Sequence, residues 1–138
     1  MQAQAQDEAA IRGLKDLFAK GIETKDPKLR ASIWTADGTL VPPTGGFFEG
    51  RAAIEKDFEQ ESASISSSTT AQFSNYRFRF LSTDIALVDA DLTIRNVLGS
   101  DRRLVPSLQV NLVFTAVRQA GKWLVQDERA HFVATPVT

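Results

Sequence analysis

The apolar residues change their spacing near residue 71, and this change constrains the fold more than any other feature of the chain. Before it, Ile11, Leu14, Leu17, Phe18 and Ile22 recur at helical intervals, while Asp7, Arg12, Lys15, Asp16, Lys20 and Glu23 fill the other faces. That pattern predicts an amphipathic helix over about residues 6–23. Asp26-Pro27 restarts the chain, since aspartate caps a helix and proline fits its first position. Leu29, Ile33 and Trp34 then supply a second, short apolar stripe, which Asp37-Gly38 ends. Thr39-Leu40-Val41 reads as a short strand closed by Pro42-Pro43, and Gly45-Gly46 and Gly50 mark a loop around Phe47-Phe48. Ile54 and Phe58 at i, i+4 predict a third helix over 51–62, and the Ser/Thr-rich segment 62–70 reads as a connector.

Beyond residue 71 the period is two. Phe73–Leu81 sets Tyr76, Phe78 and Phe80 against Arg77 and Arg79, and Ile85–Val97 alternates in the same way. Leu108–Val117 and Trp123–Val133 are further strands, joined by a turn at Gln119-Ala120-Gly121-Lys122. Strands are therefore expected near 39–42, 73–81, 85–97, 105–118 and 122–133. Helices first and long strands afterwards imply an α+β domain, three N-terminal helices on one face of a curved, mostly antiparallel sheet.

Composition narrows the partners. At 138 residues the chain fits one domain, read as spanning 1–138 with residues 1–6 frayed. A net charge of −1 and the absence of a basic run argue against nucleic acid and anionic membranes as partners. No apolar stretch approaches the ~20 residues of a membrane span. With no cysteine and one histidine, no metal site is expected, and no cofactor. The Met1-Gln2-Ala3-Gln4-Ala5-Gln6 start fits either a frayed helix end or the mature end left by signal-peptide removal with Met1 added for expression. Cytoplasmic and periplasmic or secreted locations both stay open.

Three local motifs carry a family resemblance: Trp34-Thr35-Ala36-Asp37-Gly38, Gly50-Arg51-Ala52-Ala53-Ile54 and Gly121-Lys122-Trp123-Leu124-Val125. Together with the element order they resemble the cone-shaped, cystatin-like domains called nuclear-transport-factor-2-like, and within them the SnoaL-like polyketide-cyclase branch of largely uncharacterised proteins. Ketosteroid isomerase is similar from Asp26 to Pro43, and the comparison removes its chemistry. Its catalytic base corresponds to Pro42, its oxyanion-donating tyrosine to Phe18, and its protonated aspartate to Val113. None of these side chains can do that chemistry.

The resemblance implies a small-molecule pocket between the helices and the concave face of the sheet, with Phe18 and Trp34 among its walls. Strand parity carried over from the isomerase turns Val88, Ala90 and Leu92 inward, then Gln109, Asn111, Val113 and Thr115, then Gln126, Glu128 and Ala130. A slip of one residue inverts any of these sets. The alternative makes Leu108, Val110, Leu112 and Phe114 the core and leaves Gln109 and Asn111 in water. Glu128 is the candidate general base, because a buried carboxylate can take a proton near neutral pH. Asp37 and His131 are further catalytic candidates. Asp37 has a turn role as its alternative, and His131 a place at the rim.

The resemblance thus implies a domain that binds a small-molecule ligand, with acid/base chemistry of isomerase, cyclase or dehydratase type open. The alternatives are a non-catalytic dimerisation or association module and a periplasmic accessory binding protein. A homodimer is expected through the Leu108, Val110, Leu112, Phe114 face or its neighbours on adjacent strands.

Overall fold

The computed structural model describes residues 2–134. Three α-helices, α1 (Gln2–Glu23), α2 (Pro27–Ala31) and α3 (Arg51–Glu61), lie on one face of a curved mixed sheet of six strands. The strands are β1 (Trp34–Val41), β2 (Phe48–Glu49), β3 (Ile65–Ser82), β4 (Ile85–Leu98), β5 (Leu104–Gln119) and β6 (Lys122–Phe132), in the order β2-β1-β6-β5-β4-β3. All pairings are antiparallel except β1 with β6. The α+β class and the mostly antiparallel, curved sheet are those expected.

Local chemistry explains where elements begin and end. Asp26 accepts the Leu29 N–H at 3.0 Å, and Pro27 opens α2. α2 stops at Ala31, earlier than its apolar stripe suggests. Ser32 closes it by donating its hydroxyl to the Leu29 carbonyl at 2.6 Å, and the Val125 N–H donates to the Ile33 carbonyl at 2.8 Å. Ile33 therefore lies in a turn and Trp34 opens β1, instead of either extending a helix. β3 is likewise longer than expected. The Ser66 and Thr69 hydroxyls bond the Asn96 carbonyl at 2.7 and 2.8 Å, which ties the hydroxyl-rich segment to β4 across an irregular pairing.

The three motifs hold the frame together. Arg51 donates through Nε and Nη2 to the Trp34 carbonyl at 2.9 and 2.6 Å, joining α3 to β1. The Gly50 N–H donates to the Gly38 carbonyl at 2.7 Å, with Gly50 at φ +92°, a conformation that suits glycine. Trp123 Nε1 donates to Asp7 Oδ1 at 3.1 Å and pins the first turns of α1 to β6.

The core lies between helices and sheet. Ile11, Leu14, Phe18 and Ile22 of α1 meet Val88, Ala90 and Leu92 of β4 and Val110, Leu112 and Phe114 of β5. Phe18, Trp34, Phe58 and Phe73 form an aromatic cluster with centroids 5.5–6.0 Å apart. The apolar face of β5 offered above as a dimer surface is thus covered by the helices of its own chain. Leu17, counted there in the α1 stripe, is 42% exposed, and Lys15 takes its place inside.

Candidate ligand cavity and its buried ion pair

Lys15 and Glu128 are 0% and 4% exposed, and the lysine Nζ donates to Glu128 Oε1. α1 places the lysine: Ile11, Lys15, Phe18 and Ile22 follow one another at i, i+4, i+7, i+11 on the buried face. The ammonium sits 4.4 Å from the Phe114 ring centroid and 5.3–5.4 Å from those of Phe18, Trp34 and Phe73. Rings at such distances attract a cation through their quadrupoles. Burial pushes the Lys15 amine below its usual range, and the Glu128 carboxylate opposes that shift.

A bulge brings Glu128 in. Between Thr115 and Ala116 the register of β5 with β6 shifts, so that Ala116 faces Val125 and Phe114 faces Glu128. Val125 and Glu128 both point into the core although they stand three positions apart, a spacing that regular alternation puts on opposite faces. The skipped residue, Gln126, turns to the other side and bonds Thr35 at 3.0 Å and Asp37 at 3.4 Å.

Glu128 lines a cavity of 40 Å³ together with Phe18, Arg30, Phe58, Leu92 and Leu112. The partly exposed Pro43, Glu61 and Ile94 also border it. Among the described residues, Glu128 Oε2 accepts no hydrogen bond. Arg30, 3% exposed, lies with its guanidinium carbon 4.0 Å from the Phe58 centroid and 4.7 Å from that of Phe18. Burial disfavours its charge, while Glu61, 3.4 Å away, and Asp57 favour it. The Asp57 carboxyl is pushed up, mainly by burial and then by Glu61. Among the described residues Tyr76 Oη is buried without a partner, and its phenol is pushed up by burial and by Asp16.

A larger, open groove of 580 Å³ runs beside Asn75, Arg77, Asp89, Asp91 and Asn111. Its central carboxylate is already satisfied: Asp91 accepts from Asn75 Nδ2 at 2.8 Å and Asn111 Nδ2 at 2.6 Å.

The residues singled out from sequence divide between the two faces. Phe18, Leu92 and Glu128 line the cavity. Trp34 and Val88 are buried in the core beside it. Gln109, Asn111 and Val113 point to the opposite face of the sheet, because Val110, Leu112 and Phe114 face the helices. The inward placement expected for them is thus corrected, as it is for Gln126. Asp37 is exposed on β1 and bonds Thr35 at 3.2 Å, as a turn carboxylate does. His131 is exposed and pairs in register with Asn111 on the outer face. Lys15, Arg30, Phe58 and Glu61 complete the cavity region and were not singled out. Among the described residues, no three metal-ligating side chains come together, and no helix is long and apolar enough to cross a membrane.

The model of the SnoaL-like domain matches residues 3–129. The chain belongs to the SnoaL-like domain family. Solved structures with the same fold include hexachlorocyclohexane dehydrochlorinase LinA-type3 from Novosphingobium barchaimii LL02, with TM-score 0.83 and 17% identity over 99% of this chain and 93% of that one. An uncharacterized protein with a cystatin-like fold from Caulobacter vibrioides gives TM-score 0.78 and 22% identity over 92% and 89%. A candidate calcium/calmodulin dependent protein kinase II association domain from Xanthomonas campestris gives 0.77 and 20% over 91% and 87%. No match was found among curated proteins. At these identities the likeness fixes the fold of the SnoaL-like domain and leaves its chemistry to its own residues.

Proposed function

We propose that this SnoaL-like domain binds a small molecule in the cavity between α1, α2, α3 and the sheet, with Glu128 as the acid/base group that meets it. One observation carries the reading. Glu128 is tied by one oxygen to a buried lysine and keeps its other oxygen free of hydrogen bonds in the wall of an apolar cavity. A fully satisfied structural ion pair would have no such open site. Lys15 fixes the orientation of the carboxylate and supplies the charge that a proton transfer at Glu128 would need to balance. The aromatic cage around Lys15 keeps bulk water from the pair, so the two groups act strongly on each other. The fold neighbours include a dehydrochlorinase, which is consistent with proton removal from a small apolar compound in such a cavity.

The test is native mass spectrometry of the protein as isolated, followed by turnover of the captured compound. A bound molecule, converted by the protein and unconverted by Glu128→Gln, is the expected result. An unliganded protein that captures nothing from a fragment panel contradicts it.

Homodimerisation is a second element of the proposal. The outer face of the sheet carries half-buried Leu87, Val113, Val117 and Leu124, with Ile85 39% exposed. Ile85, Val117 and Leu124 pair directly across β4, β5 and β6, while Leu87 beside them faces Thr115 and Val113 lies between Asp89 and Arg129. The association-domain neighbour supports use of this fold in assembly. Light scattering is expected to give a dimer, and Val113→Lys a monomer; a wild-type monomer contradicts this element.

A further inference from the structure

Arg30 is the least satisfied charged group in the described structure. Its Nη2 meets Glu61 at 3.4 Å, while Nε and Nη1 are buried without a hydrogen-bond partner. A charged donor removed from water and left without an acceptor is strongly unfavourable, and it persists where something else answers it. Packing holds the side chain in this position. A β-carbon on Gly21 would lie 2.5 Å from Arg30 Cγ, so the glycine in α1 is what lets the arginine stem pass. The rings of Phe18 and Phe58 then fix the guanidinium in the cavity wall.

We propose that Arg30 Nε–H and Nη1–H receive the carbonyl oxygen of a small, neutral, mainly apolar ligand. The proposal rests on the cavity reading above and names the chemistry of its ligand. The cavity volume of 40 Å³ is that of a few water molecules at ~10–15 Å³ each. A carbonyl head group is of that size, with the rest of the ligand extending toward Pro43 and Ile94. The acceptor is neutral because the surrounding charge is already answered. Glu128 is paired with Lys15, and both Glu61 and Asp57 act on Arg30. A further anion would meet three carboxylates and two cations. The body is apolar because Leu92, Ile94, Val110 and Leu112 line the space beside the guanidinium.

Three probes of similar shape test this: acetophenone, a neutral ketone; benzoate, its anionic counterpart; and ethylbenzene, which has no acceptor. Binding is followed by NMR at the Arg30 Nε–H resonance and at the Leu92 and Val110 methyls. Acetophenone is expected to shift the Nε–H signal and to bind roughly tenfold or more tightly than ethylbenzene, the value of one hydrogen bond to a charged donor. Benzoate is expected to bind more weakly than acetophenone, and Arg30→Met to erase the preference for the ketone. The Nε–H signal of the unaltered protein decides the matter should Arg30→Met fold poorly. If acetophenone saturates the methyl shifts and leaves the Nε–H signal unmoved, solvent answers the guanidinium and the proposal is overturned. Tighter binding of benzoate overturns the neutral acceptor. Equal affinity for acetophenone and ethylbenzene leaves the cavity reading standing and removes Arg30 from it. If none of the probes shifts the methyls, both fall.

Discussion

Replacing Lys15 by methionine keeps the length of the side chain and its apolar stem but removes the cation. Glu128, 4% exposed and held between Phe114 and Leu40 in the ladder, then loses its partner. Breaking one side of a buried pair typically costs about 3–5 kcal/mol, because the remaining charge is desolvated and unanswered. For a domain of this size about 4 °C of melting temperature accompanies each kcal/mol, so Lys15→Met should melt about 12–20 °C lower. Glu128→Leu should be comparably harmful, leaving the ammonium in its cage of rings. The double variant is the informative one. Two apolar side chains of similar volume replace the pair, and such replacements are neutral or stabilising by about 1–4 kcal/mol. Urea unfolding, followed by tryptophan fluorescence and circular dichroism, gives all four corners of the cycle. The reasoning is refuted if Lys15→Met costs less than about 1 kcal/mol, the value of a solvent-exposed pair, or if the double variant is as unstable as the single ones.

Three further outcomes follow from the same contacts. Burial holds the folded Lys15 amine below its usual 10.5, so between its folded value and pH 10.5 the unfolded chain binds more protons and stability rises with pH. Denaturant midpoints taken below pH 10, where the Tyr76 phenol is not yet involved, should show that slope in the unaltered protein and lose it in Lys15→Met/Glu128→Leu. Arg51→Ala removes two charged donors from the Trp34 carbonyl and should cost about 1.5–3 kcal/mol by urea unfolding. Asp7→Ala takes the acceptor from Trp123 Nε1 and from Arg118, 2.9 Å away, and should change the tryptophan emission while costing about 1–2 kcal/mol in the same assay.

Most of the frame was legible because it rests on local rules. The Asp26-Pro27 helix start and the Gly121 turn follow from residue type and spacing, and the inward set Val88, Ala90, Leu92 from the strand parity that the resemblance to the isomerase implies. β5 was harder because apolar residues occupy both of its faces. Val113 sits among Val110, Leu112 and Phe114, so alternation cannot say which set meets the helices. The bulge at Gln126 leaves no mark that a strict period of two would reveal, and it is what allows Val125 and Glu128 to share a face. Lys15 did leave a signal. It stands four residues after Ile11 and three before Phe18, inside the apolar stripe, where a lysine needs a buried partner. Arg30 gives less: its burial depends on Gly21 of α1 and Phe58 of α3, neighbours that only the tertiary fold supplies.

The most direct test of the cavity reading is a methyl-detected NMR titration that watches both faces of the sheet at once. A small ketone should shift the methyls of Leu92, Val110 and Leu112, which face the helices, and leave those of Val113 and Val117 on the outer face unmoved. Shifts confined to Val113 and Val117, or no shift on either face at saturating ligand, would contradict the account.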